Sequence, residues 1–255
     1  LLFIQTGELS PMLTVAIAAV LAGFVGALTG VGGVVLVPAL TEAAGAPIDR
    51  AIGTAMFALA FSAPVAAYAA VRRVRLSAGP VALLCVAAAC GSIVGTVTLA
   101  WFPGNVLRLL VAAAALLSGL HALFSHERAG GARMLGNTSL AILGLLVGWA
   151  SAVTGTGGPI LLIPVLLLLG LPAAIAVGLA LAAHVPIVWL ASAVNLHAGR
   201  VDVTTGAGLG GLLVAGTLAG MWLFPLLSGR QLTVCVAWAL IAVGSWYGYV
   251  TLAHQ

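Results

Sequence analysis

Eight long apolar runs constrain the fold of this chain more than any other feature. They fall at about residues 12–30, 51–71, 79–101, 105–124, 138–154, 173–195, 204–226 and 231–253. Each run is long enough to cross a hydrocarbon core of about 30 Å as a helix. Only 5% of the residues are charged, whereas soluble domains carry about 25%. An outer-membrane barrel would show alternating segments of about ten residues, which the chain lacks. We therefore predict an all-α polytopic membrane protein of the inner-membrane class, embedded in a lipid bilayer.

The charged residues and the cysteines narrow the function classes further. All nine basic residues are arginines, and they stand mainly in short connections, which indicates membrane topology and no nucleic-acid partner. The three cysteines, Cys85, Cys90 and Cys235, lie in apolar runs without metal-ligand spacing. We expect them to pack in the helices, and we expect no cofactor.

A shift of 125 residues aligns residues 23–119 with residues 148–244 without a gap, and ten glycines coincide in that register. Pro47 then aligns with Pro172, and Arg75 aligns with Arg200. Similarity between apolar runs alone would match alanine and leucine rather than so many glycines and an arginine. We predict two repeats of about four helical segments each, over residues 1–124 and 138–255, joined by a polar linker at 125–137. Secondary transporters build two halves around a midplane site from such repeats.

Each predicted repeat opens with a glycine cluster in which we expect a helix to break. The segments are LTGVGGVVLVPAL, beginning at Leu28, and VTGTGGPILLIPVL, beginning at Val153. Glycine in a helix interior costs about 1 kcal/mol against alanine, and proline costs more. Pro159 suits the first turn of a new helix. We predict a helix, an irregular turn, and a short second helix that ends near Pro47 or Pro172.

Irregular backbone at membrane depth is tolerated only inside protein or along a polar cavity. A helix that restarts there presents unpaired N–H groups and the positive end of its dipole, which suit an anion. We therefore predict a small anionic substrate between the two breaks. The alternative is that the glycines only let helices approach closely. The predicted ligands at the breaks are Thr29, Gly30, Gly32, Gly33, Thr154, Gly155, Gly157 and Gly158.

Several short motifs follow one another in order along this chain. They are the paired GVGGVVLVPAL and GTGGPILLIPVLL segments, the Pro-x-x-x-Ala-x-Gly-Thr run at 47–54 and the Gly-Arg-Val-Asp run at 199–202. Together they resemble the motifs of the TauE/SafE-type sulfite exporter family. The likeness extends over nearly the whole chain, and its specificity lies in the order and duplication of short motifs. It implies export of sulfite, sulfonates or related anions across the bacterial inner membrane. A homo-oligomer is compatible with this assignment.

Two further polar residues within the spans complete the predicted substrate site, His184 and Asn195. Ionisable side chains inside a membrane are functional candidates by default, and the ordinary pKa of histidine, about 6.5, allows proton transfer. His184 can bind an oxyanion or carry a proton. It can equally be a buried histidine bonded to a carbonyl freed by Pro186.

The sequence leaves the orientation of the repeats open. If each glycine cluster is one broken crossing, the repeats are parallel. If each cluster is a re-entrant hairpin, the repeats are inverted. The inverted arrangement places six arginines on one face: Arg72, Arg73, Arg75, Arg128, Arg133 and Arg230. The parallel one exchanges Arg230 for Arg200, so counting arginines does not decide.

We predict a transporter and not an enzyme. The chain has no HExxH motif, no carboxylate pair in a span and no Ser/His/Asp set at usable spacing. The alternatives are a membrane-embedded enzyme that uses His184 and a non-catalytic membrane assembly protein.

Overall fold

The computed structural model describes residues 10–29, 32–124, 136–223 and 229–253, and these residues form helices joined by short connections. The all-α prediction is confirmed. The helices are α1 (Pro11–Thr29), α2 (Gly32–Pro38), α3 (Ile48–Val71), α4 (Ala78–Thr98), α5 (Gly104–Phe124), α6 (Asn137–Thr154), α7 (Pro159–Leu168), α8 (Ala173–His197), α9 (Val203–Leu223) and α10 (Gly229–Ala253). A π-helical turn, Ala39–Ala43, extends α2.

Five of the described helical segments are long and apolar enough to cross a membrane. They are Ile48–Val71, Ala78–Trp101, Asn137–Thr154, Ala173–His197 and Val203–Trp222. The other three predicted spans correspond to α1, α5 and α10, and their crossing stays a prediction. Large apolar side chains such as Leu146 and Trp222 face outward, as expected where the surrounding solvent is lipid.

The two predicted halves are interleaved, because α1 packs against α9 and α4 packs against α6. Glycines bring these helices into backbone contact. A Cβ atom at Gly23 would overlap the carbonyl oxygen of Leu213, and a Cβ atom at Gly148 would overlap that of Ala88. The 125-residue shift that aligns the halves converts one contact into the other, so the packing follows the sequence correspondence.

Corresponding helices of the two halves run antiparallel. In the α3–α8 pair, Gly53 lies beside Arg200, whereas Gly178 lies beside Val74. In the α5–α10 pair, Gly119 lies beside Ala237, and Gly248 lies beside Ala112. Parallel repeats would make each of these pairs parallel. The antiparallel packing of these helices agrees with the inverted alternative, and the repeat relation between the halves stays a prediction.

The first glycine cluster reverses the chain. A Cβ atom at Gly32 would lie 2.8 Å from the carbonyl oxygen of Ala22, and one at Gly26 would lie 3.4 Å from the amide nitrogen of Gly32. A helix that continued from α1 would carry Gly32 about 15 Å beyond Ala22. α2 therefore folds back along α1, as a re-entrant hairpin does. The linker predicted at 125–137 lies outside the described residues up to residue 135, and α6 begins at Asn137.

Candidate functional site

The second glycine cluster lies between the end of α6 at Thr154 and the start of α7 at Pro159. Gly155, Gly157 and Gly158 have φ values of 71°, 84° and 104°, a region that costs other residues about 1–2 kcal/mol. Proline at the first position of α7 has no N–H to leave unpaired. The segment therefore has backbone angles that only glycine adopts readily, and it leads directly into the N-terminal end of α7.

His184 is held against this segment. Its side chain is 4% exposed, and its Nδ1 bonds the carbonyl oxygen of Gly157. Because a carbonyl only accepts, Nδ1 carries the proton in this bond, as its partner assigns it. Nε2 is then the nitrogen left for a ligand, as an acceptor in neutral imidazole and as a donor in imidazolium. The bonded carbonyl belongs to Gly157 and is not the one freed by Pro186, which corrects that alternative.

The two glycine clusters meet near His184. A Cβ atom at Gly33 would overlap the carbonyl oxygen of Gly155 and would lie 3.0 Å from the Cα atom of Thr156. The segments are therefore in backbone contact at Gly33, and no space separates them at that point. Gly30 and the side chain of Thr29 lie outside the described residues.

A narrow cleft lies along α3, and His184 is one of its lining residues. It holds about 270 Å³ of empty space, a volume that includes the open solvent at its mouth. Its lining comes from α1, α2, α3, α8 and α9: Ala22, Gly23, Gly26, Gly32, Leu59, Ser62, Ala63, Ala66, Leu181, His184, Leu213 and Thr217. No acidic side chain lines it.

The cleft includes two hydroxyl groups outside the predicted set of ligands, although the sequence already marks Ser62 as a polar residue that could line a path. The Ser62 hydroxyl donates to the carbonyl of Leu59 at 3.3 Å, and the Thr217 hydroxyl donates to the carbonyl of Gly23 at 3.2 Å. Both residues line a cleft whose other side chains, apart from His184, are apolar. A serine or threonine within a span is common, so only the structure distinguishes these two from packing residues.

Two predicted ligands lie apart from the cleft. The Thr154 hydroxyl donates to the carbonyl of Ala150 at 2.8 Å and lies 2.9 Å from the Thr156 hydroxyl. Asn195 is fully buried in α8, and neither polar atom of its amide has a partner in the described structure. The Ser151 hydroxyl, on α6 just before the glycine cluster, is likewise buried without a partner. The predicted roles of Thr154 and Asn195 in substrate binding stay predictions.

The connection between α8 and α9 carries the charged groups nearest to Asn195. Burial lowers the pKa of Arg200, and the negative charge of Asp49 opposes that shift. The Arg200 guanidinium donates from Nη2 to the carbonyl of Thr96 at 2.9 Å. The backbone N–H and the hydroxyl of Thr205 lower the pKa of Asp202, so this carboxylate caps α9 at neutral pH and loses that role as the pH falls.

The comparisons with known proteins agree with the resemblance read from the motifs. A protein-family model described as "Sulfite exporter TauE/SafE" matches residues 15–247. Neither the curated proteins nor the solved structures contain a match to this chain.

Proposed function

Because the chain belongs to the TauE/SafE sulfite exporter family and is therefore a membrane transporter of the sulfite or related-anion type, we propose that it exports sulfite, organosulfonates or related small anions. The membrane is the bacterial inner membrane. The protein acts as a secondary transporter without catalytic chemistry. The observation that carries this proposal is a narrow cleft lined by a buried histidine, which bonds one of two glycine segments that are in backbone contact.

The anion is held at the inner end of the cleft, beside Gly32 and His184. Imidazolium donates from Nε2 to an oxyanion, while the Gly157 carbonyl fixes the ring through Nδ1. The N-terminal end of α7, next to the same glycine, adds the positive end of a helix dipole. None of the described residues that line the cleft is acidic, which suits an anion.

The cleft faces the cytoplasm in this proposal. It runs along α3 from Leu59 to Ala66, toward the end of α3 that precedes Arg72, Arg73 and Arg75. The inverted arrangement places six arginines of the sequence on that face, and cytoplasmic connections carry an excess of basic residues. The cleft is then the entrance through which an exporter receives its substrate.

Export needs no coupling ion in this account. An inside-negative potential acts on each elementary charge with about 2.3 kcal/mol per 100 mV, so a divalent anion is driven outward. Acidic residues that would bind a driving cation are missing from the cleft lining. Outward flux down the electrical gradient follows.

Substituting His184 is expected to weaken anion binding without unfolding the protein. Loss of a hydrogen bond to a charged ligand costs about 1.5–3 kcal/mol, so His184→Ala should lower the affinity for sulfite about 10- to 150-fold. His184→Gln retains an N–H donor and should recover part of that affinity. Thermal shifts with sulfite, sulfate, thiosulfate, sulfoacetate, taurine and small carboxylates measure the binding.

A sulfonate provides the pH test, because its own charge is constant across the range in which imidazole titrates. Wild-type affinity should rise as the pH falls and imidazolium forms, whereas the affinity of His184→Gln should be flat. His197→Ala, at the exposed end of α8, is the matched control and should behave as wild type. Unchanged affinity and an unchanged pH profile in a folded His184→Ala would reduce His184 to a packing role.

A further inference from the structure

Two buried polar side chains have no place in the cleft and no partner in the described structure. Ser151 and Asn195 are both fully buried. Neither the hydroxyl of Ser151 nor either polar atom of the Asn195 amide has a hydrogen-bond partner in the described structure. Buried polar groups without a partner are rare in folded proteins. Their position points to a space that is shut in this conformation.

The 125-residue correspondence relates these residues to the cleft. It maps the lining residue Gly26 to Ser151, Ser62 to Ile187 and Ala66 to Ala191. Asn195 lies four residues beyond Ala191, one helical turn further along the same face of α8. We call the set Ser151, Ile187, Ala191 and Asn195 the counterpart surface.

The counterpart surface is closed where the cleft is open. Ile187 and Ala191 are fully buried. A Cβ atom at Gly158 would lie 2.8 Å from Cδ1 of Ile187 and 3.6 Å from the hydroxyl oxygen of Ser151. The first half thus leaves a space beside its glycine cluster, and the second half fills the corresponding space.

The counterpart surface also points to the opposite face of the membrane. α3 and α8 run antiparallel, as the bond from Nε1 of Trp189 to the carbonyl of Ala60 at 3.0 Å and the contact of Gly53 with Arg200 require. The cleft extends toward the C-terminal end of α3, so its counterpart extends toward the C-terminal end of α8. Arg200 lies at that end, and its Nε is also buried without a partner.

We propose that the counterpart surface is a second anion vestibule, which opens to the opposite face when the two inverted halves exchange conformations. On opening, the Asn195 amide and the Ser151 hydroxyl donate to the departing anion or to its water, and the Arg200 guanidinium draws the anion outward. The vestibule rests on the proposed transport function. It explains why two unpartnered polar groups lie within an apolar core.

Cysteine labelling tests the vestibule in a background in which Cys85, Cys90 and Cys235 are replaced by serine and sulfite flux is retained. Ser77→Cys and Asp202→Cys, both in exposed connections, calibrate the two faces for a membrane-impermeant thiol reagent. Ala66→Cys should be labelled from the Ser77 face. Asn195→Cys should be labelled from the Asp202 face, slowly at rest and severalfold faster while sulfite is transported. Labelling of Asn195→Cys from the Ser77 face, or no labelling during active flux, would overturn the proposal.

A second variant separates the vestibule from the binding site. Asn195→Leu replaces an unpaired amide with an apolar side chain, so it should hold the counterpart surface shut. Sulfite flux should fall at least tenfold while sulfite affinity and thermal stability stay at or above wild type. Wild-type flux in this variant would contradict the vestibule. If the wild-type protein itself fails to bind sulfite while Asn195→Cys is labelled from the Asp202 face, the substrate assignment fails and the vestibule stands.

Discussion

Gly157→Ala is expected to reduce sulfite flux by at least tenfold. Gly157 has a φ of 84°, which costs an L-residue about 1–2 kcal/mol. The added Cβ atom would also overlap Cε1 of His184 and lie 2.7 Å from Nδ1 of the same ring. The ring must then leave the carbonyl that orients it, and the cleft loses its donor. Flux per folded molecule in proteoliposomes, with sulfite affinity measured in detergent, gives the result.

Gly199→Ala is the matched control for this variant. Gly199 has a φ of 67°, and no atom lies within 4 Å of the position of its Cβ, so the substitution introduces the backbone strain without the collision. It should lower stability modestly and leave sulfite affinity unchanged. Combining Gly157→Ala with His184→Ala removes most of the collision, so it should recover part of the thermal stability but not the affinity. Equal affinity losses in Gly157→Ala and Gly199→Ala would show that strain alone acts.

Gly148→Val is expected to prevent stable assembly of the two halves. Its Cβ atom would overlap the carbonyl oxygen of Ala88, with the Cα atom of Ala88 2.9 Å away. Backbone atoms in the middle of a helix cannot move aside, so α4 and α6 must separate. Overpacking usually costs about 1–3 kcal/mol and occasionally more, and a forced backbone separation belongs at the upper end. The monodisperse fraction and the melting temperature in detergent measure the loss.

The 125-residue correspondence supplies an equivalent variant in the first half, and α9 supplies a control. Gly23→Val forces the corresponding overlap with the carbonyl of Leu213, so it should be as damaging as Gly148→Val. Gly211→Val, in α9, places its side chain where no atom lies within 4 Å, and it should be nearly neutral. A stable Gly148→Val protein with wild-type flux would refute the close helix contact that joins the halves.

Hydropathy and glycine spacing predicted much of the fold. The predicted end of a helix at Thr154 and its restart at Pro159 match α6 and α7, because glycine and proline act locally. The orientation of the halves was not predictable. It depends on contacts such as Gly119 with Ala237, which join distant positions and leave no trace in local composition or in the arginine count.

The candidate site was predicted only in part, because it also depends on contacts between distant parts of the chain. Gly157 and His184 were both singled out from the sequence, and the structure brings them into contact. Thr154 was expected to donate to a ligand, but in this conformation its hydroxyl donates to the carbonyl one turn earlier, as threonine in helices often does. Ser62 and Thr217 were outside the predicted set of ligands. The sequence of an apolar helix does not show which of its hydroxyl groups borders a cavity.

The most direct test of anion export is the initial rate of sulfite efflux from proteoliposomes at two membrane potentials. A potential of about 100 mV, negative on the cleft side, which faces the inside of the vesicle, adds about 4.6 kcal/mol of outward driving force for a dianion. We predict protein-dependent efflux that this potential accelerates and that needs no sodium or proton gradient. The efflux rate should be much lower for His184→Ala. Flux that requires such a gradient, or that ignores the potential, would contradict this prediction.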